Sequence, residues 1–99
     1  MVGQLRIYTI NNGMMENWLK LFNEVLIYKV LESGMEIQSA WVNEEKTKFI
    51  HIRTFNNKEE IEEIEAKFYG TDWWKENVDF IRSHHAHREI ILIEPVMPS

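Results

Sequence analysis

The chain contains no cysteine. That excludes disulfides, thiolate zinc sites, iron–sulfur clusters and cysteine nucleophiles. It is also short of positive charge: 11 lysines and arginines stand against 16 acidic residues, for a formal net charge of -5. A general nucleic-acid binder needs a basic footprint for phosphate, so this balance argues against that class. No apolar run approaches the ~18 residues of a membrane helix, and no basic-then-apolar leader opens the sequence. With two prolines and four glycines, the sequence has no linker, low-complexity tract or solenoid-period repeat. Ser33, Ser39 and Ser83 lack the surroundings of a nucleophile elbow, which disfavours hydrolase chemistry. The expectation is a single domain over residues 1–99, cytoplasmic, with neither a nucleic-acid nor a membrane partner. A chain this short buries only roughly two-thirds of its unfolded surface. Pairing with a second copy would add stability.

What is present is periodic. Gln4 to Ile10 alternates as a strand, with Leu5, Ile7 and Thr9 on one face and Arg6, Tyr8 and Ile10 on the other. From Met14 to Ser33 the apolar spacing becomes three and four, through Trp18, Leu21, Phe22, Val25, Tyr28 and Leu31. Asn12 is the expected N-cap of this helix, and Gly34 its stop. Met35 to Val42 and Thr47 to Phe55 read as two strands joined by the polar Asn43-Glu44-Glu45-Lys46. Asn57 with Glu60 resembles a capping box opening a second helix, which Gly70 interrupts and Thr71 or Asp72 recaps. His85 to Glu94 is the last strand, ended by Pro95. The order β-α-β-β-α-β predicts an α+β, ferredoxin-like antiparallel sheet with its helices on one face. The uncovered face calls for a partner, and a second copy is the expected one.

Several of these segments together resemble the NIPSNAP family of the dimeric α/β-barrel superfamily. Leu5-Arg6-Ile7-Tyr8-Thr9-Ile10 with Gly13 is similar to the family's "LRxYxI…G" opening. Leu31-Glu32-Ser33-Gly34 falls where its first helix ends on glycine, and Trp41 where an aromatic closes its second strand. Phe49-Ile50-His51-Ile52-Arg53-Thr54-Phe55 resembles its "VVHLWAY" strand and keeps the histidine, and Trp73 or Trp74 matches a later tryptophan. The resemblance implies a homodimer whose two sheets close into a barrel, and no firmly assigned reaction. Members of the wider superfamily include cofactor-free monooxygenases and haem-degrading enzymes.

Chemistry is expected on the two central strands. One row reads Leu5, Ile7, Ile50 and Ile52, which suits packing under helices; the other reads Arg6, Tyr8, His51 and Arg53, flanked by Phe49 and Phe55. In the fold the resemblance implies, the polar row points into the dimeric barrel. Its functional reading is a pocket for a polar or anionic small molecule, held by Arg6, Tyr8, Trp41, Arg53 and Trp73, with His51 as acid–base group. The alternative is a structural ion-pair network, with Glu89, Glu36 or Gln38 as partners for the arginines. His85, His87 and Glu89 share a face of an ideal strand and form a weak metal constellation; no metal or cofactor is expected. The four tryptophans, Trp18, Trp41, Trp73 and Trp74, suggest a slot between helices and sheet in which a tryptophan beside a histidine would suit a flat aromatic substrate, with core and interface packing as the alternative. Trp73 and Trp74 face different ways on a helix, so covering both suggests a partner. The run Lys58 to Glu65 reads as a solvated helix face without chemistry. Three functions stay open: a binding protein, a cofactor-independent monooxygenase-like or haem-handling enzyme, and an oligomeric interaction module without ligand.

Overall fold

A computed structural model describes residues 1–97; Pro98 and Ser99, inside the expected 1–99 domain, lie outside the described residues. The alternating segments form β1 (Val2–Ile10), β2 (Glu36–Val42), β3 (Lys48–Phe55) and β4 (His85–Ile93). These make one antiparallel sheet in the order β2-β3-β1-β4. Between β1 and β2, α1 (Met15–Leu21) runs through a π-helical turn (Phe22–Leu26) into α2 (Ile27–Glu32). Between β3 and β4 lie α3 (Glu59–Tyr69) and α4 (Asp72–Arg82). This is the expected βαββαβ ferredoxin-like arrangement, with the second helix broken at Gly70.

Local chemistry sets most boundaries. Gly34 ends α2 with φ +95°, a left-handed conformation that side chains disfavour. Asn57 Oδ1 accepts the Glu60 N–H at 3.0 Å, and Thr71 Oγ1 accepts the Trp74 N–H at 3.1 Å, so both expected caps form. Asn43 Oδ1 accepts the N–H groups of Thr47 and Lys48, closing the β2–β3 hairpin. The Asn12 cap does not form. The Asn11 carbonyl takes the Met14 N–H at 3.0 Å instead, in a turn that Gly13 completes at φ +79°, and the helix starts after Met14.

The π turn has an identifiable cause in the sequence. Trp18, Phe22, Leu26 and Val30 are all buried, at a strict spacing of four. On an α-helix of 3.6 residues per turn such a row drifts by about 40° at each step. A wider turn in the middle returns the row to one face, so all four side chains meet the sheet.

The faces of that sheet are the reverse of expectation. Tyr8, Ile10, Phe49 and Phe55 are buried in the core together with Arg6, His51 and Arg53. Leu5, Ile7, Ile50 and Ile52 are only half-buried, on the face that no helix covers. Register places Trp41 opposite Ile50 and Ile91 opposite Leu5 on that same open face. The physical reason is volume. The large aromatics of β1 and β3 share a row with the arginines, and burying them is worth about 1.5–3 kcal/mol each. Trp18 is fully buried and meets Phe49 edge-on at 5.5 Å and Tyr8 at 5.9 Å between ring centroids. The arginines go in with their neighbours, stems packed and heads hydrogen-bonded.

At the sheet edge, β4 is exposed along most of its length, Ile90, Ile91 and Leu92 included. The tryptophan pair needs no partner subunit to be partly covered. Trp74 packs on Phe68 and Tyr69, and Lys29 lies over the Trp73 ring at 5.6 Å. Trp18→Ala should cost about 3–5 kcal/mol, a large share of the stability of a domain this size. Urea unfolding should show this as a lowered midpoint, with Trp18→Phe losing much less; an unchanged alanine midpoint would refute the packing account.

Candidate active site between the helices and the sheet

Beneath the helix layer lies a cavity of about 230 Å³. Arg6 and Tyr8 come from β1, Arg53 from β3, and His85, Arg88 and Ile90 from β4. The helices add Trp18, Leu26, Glu65, Tyr69, Trp74, Ile81 and Arg82. Of the expected ligand-binding residues, Arg6, Tyr8 and Arg53 therefore converge, but under the helices rather than inside a barrel. Trp41 stands on the open sheet face, 64% exposed, and Trp73 lines a separate cleft with Lys29 and Lys67. His51 sits behind the lining, its ring against Tyr8, Phe22 and Phe49.

The two deep arginines are held differently. Arg6 donates to Gln4 Oε1 at 3.1 Å, Tyr8 OH at 3.0 Å and Tyr69 OH at 3.3 Å. Its nearest carboxylate is Glu65, at 3.9 Å, which also accepts from the Gln4 amide. Arg53 donates to Tyr69 OH at 2.9 Å and more weakly to Met35 Sδ, and its Nε is buried without a partner among the described residues. Neither Glu89 nor Glu36 takes part. Register sets Glu89 opposite Ile7 and Glu36 opposite Thr54, both on the open face. The partner is Glu65, from the run expected to be solvated; it lies one helical turn before Tyr69 and shares its face.

The imidazoles are equally under-used. His51 and His85 are buried at both ring nitrogens with no hydrogen-bond partner among the described residues. His85 packs against Tyr8 and Trp18, each at 4.5 Å between centroids. It does not share a face with His87 and Glu89, because the β1–β4 register shifts between Thr9 and Ile10 and turns His85 inward. The proposed metal constellation is thereby divided, and no group of three metal-ligating side chains occurs among the described residues. Trp18 and Trp74 belong to the expected helix–sheet slot and lie there beside His85; Tyr69 and Arg82 were not anticipated as site residues. Tyr69 and Trp74 carried one signal, as the aromatic residues flanking the Gly70 break.

Burial works against charge on Arg6, but Tyr8, Tyr69 and Glu65 outweigh it and raise its pKa. Burial, then Arg53, Arg6 and His85, holds His51 well below the ordinary histidine range. Burial, then Arg88, His84 and Arg82, lowers His85 to about 4. Both rings are neutral at pH 7, while in the unfolded chain they would take protons near pH 6.5. The folded state binds fewer protons, so this contribution is full above about pH 6.5 and is lost as pH falls toward 4. Thermal unfolding at pH 7.5 and 5.0 should show the decline, and His85→Phe should flatten it; an equal decline in that variant would count against the assignment.

The NIPSNAP family model matches residues 3–96. No curated protein matches. An uncharacterized NIPSNAP domain protein from Burkholderia xenovorans superposes with TM-score 0.90 at 14% identity, covering 100% of both chains. A NIPSNAP family protein of unknown function from Agrobacterium tumefaciens gives TM-score 0.91 at 21% identity, over 100% of this chain and 91% of that one. More distant in fold is SnoaB, a cofactor-independent oxygenase from Streptomyces nogalater, at TM-score 0.70 and 9% identity over 98% and 94% of the two chains. With the family pattern running through nearly every element of the fold, the chain belongs to the NIPSNAP family.

Proposed function

We propose that this protein binds a small organic anion in the helix–sheet cavity of each subunit of a cytoplasmic homodimer. The observation that carries the reading is Arg53: an arginine only 4% exposed, on the cavity wall, with no carboxylate within 4.0 Å of its guanidinium and no partner for its Nε among the described residues. Burying such a charge costs several kcal/mol unless it is compensated. A hydrogen bond to a charged group is worth about 1.5–3 kcal/mol, so an entering carboxylate or phenolate would recover much of that cost. Tyr8, Trp18, Tyr69 and Trp74 supply flat apolar surface for the body of the ligand. Glu65 is the internal competitor, since its carboxylate lies 3.9 Å from the Arg6 guanidinium.

The homodimer part of the reading rests on the open sheet face. Leu5, Ile7, Ile50, Ile52, Ile91 and Trp41 lie there without cover from their own chain, an apolar surface that a second sheet would bury. A second reading, cofactor-independent oxygenase chemistry on a phenolic compound, is favoured by His85. It is the imidazole that lines the cavity, with both ring nitrogens lacking a hydrogen-bond partner among the described residues, and a histidine is the usual group for moving a proton. SnoaB, described as a cofactor-independent oxygenase, shares the fold.

Benzoate at a hundredfold excess over its Kd should stabilise the protein by about 2.7 kcal/mol, roughly ten degrees of Tm. Arg53→Met should abolish the shift while the variant stays folded, and Glu65→Gln should tighten binding roughly fivefold, or about 1 kcal/mol. No shift with any aromatic carboxylate would sink the binding reading. Oxygen uptake with a phenol, lost in His85→Phe, would decide for the second. For the dimer, sedimentation should give twice the chain mass for the wild type and a monomer for Trp41→Glu; a monomeric wild type would remove it.

A further inference from the structure

Arg6 and Arg53 are not the only guanidinium groups on this cavity. Arg82 closes α4, and Arg88 stands on β4 directly across from Tyr8; both line the same space and both are exposed. Neither has a carboxylate within 4.0 Å among the described residues. The Arg82 guanidinium lies over the Trp74 ring at 5.5 Å, which keeps it at the rim without neutralising it. Glu65 is the sole carboxylate among the lining residues, and it is already engaged with Arg6. The cavity thus carries four guanidinium groups against one carboxylate, arranged at two depths. Arg6 and Arg53 sit at the bottom, 5% and 4% exposed, and Arg82 and Arg88 at the mouth. Aromatic side chains fill the walls between them.

A single anionic group accounts for one of these pairs and leaves the other without a role. Building on the anion-binding reading, the geometry points to a dianionic ligand: a one-ring aromatic compound with an acidic group at each end. One acid meets Arg53 and Arg6 at the bottom, and the other meets Arg82 and Arg88 at the mouth. Guanidinium forks suit carboxylates in both places, because two parallel N–H donors match two oxygens. The volume agrees. About 230 Å³ is the space of roughly eight waters, which suits one ring with two short acidic arms and is small for a nucleotide. The aromatic lining selects a flat body over an extended aliphatic diacid, since ring faces reward stacking.

The test is calorimetric titration of the intact protein with benzoate, isophthalate and terephthalate at low and moderate salt. The better of the two diacids should bind at least tenfold more tightly than benzoate. In the Arg82→Gln, Arg88→Gln double variant that ratio should fall to about one. Arg53→Met should weaken every probe, because it removes the bottom contact common to all three. Equal affinity of monoacid and diacids in the wild type, with Arg53→Met still weakening both, would overturn the dianion and leave simple anion binding standing. A double variant that weakens all three probes by the same factor would overturn it as well, reducing the rim arginines to general electrostatic steering. Absence of binding by any probe would overturn both readings together.

Discussion

A phenol oxygen between two buried guanidinium groups organises the interior of this protein. Tyr69 OH accepts from Arg53 at 2.9 Å and from Arg6 at 3.3 Å. Those arginines stand on adjacent strands, β3 and β1, and the tyrosine ends α3, so one atom ties the helix to the centre of the sheet. Without it both charges would lack their shared acceptor in a place water hardly reaches, a condition that costs several kcal/mol. The arrangement is uneven. Arg6 has three hydrogen bonds and a nearby carboxylate, whereas Arg53 retains an unused donor. Polar networks satisfied on one side and open on the other are where chemistry can enter, because the missing partner is what a ligand supplies.

Around that centre the aromatic side chains act as spacers. Trp18 and Phe22, brought to one face by the π turn, press on Phe49 and Tyr8, and Trp18 also meets His85 of β4 edge-on at 4.5 Å. The helical layer reaches β4 at His85 and leaves Ile90, Ile91 and Leu92 exposed. The cavity is the space that remains. Its polar floor and apolar walls follow from a single choice, placing the aromatic–arginine row of the sheet inward.

That choice is where the sequence was least informative. Periods of 2 and 3.6 identified every strand and helix, and the caps at Asn57 and Thr71 and the stop at Gly34 were readable residue by residue. Periodicity shows which side chains share a face. It does not show which face is inside when both rows are rich in apolar groups. Charge suggested that Arg6 and Arg53 look away from the core; the volume of Tyr8, Phe49 and Phe55 decided otherwise. Glu65 was hidden among four other glutamates, Glu59, Glu60, Glu62 and Glu63, and its position four residues before Tyr69 was the available clue. The register shift in β4 left no mark in the sequence at all, yet it separates His85 from His87 and so removes the metal site that ideal alternation would build.

The exposed β4 edge has a consequence for how the chain must be guarded during synthesis and storage. An unpaired strand presents a row of free N–H and C=O groups, and here it ends in Ile90-Ile91-Leu92-Ile93, a run of the kind that templates strand-on-strand aggregation. The residues just before that run are His87, Arg88 and Glu89, polar and charged side chains at the place where gatekeepers interrupt such pairing. Arg88 thus serves the colloidal behaviour of the protein as well as its cavity. Neutralising it trades solubility along with charge.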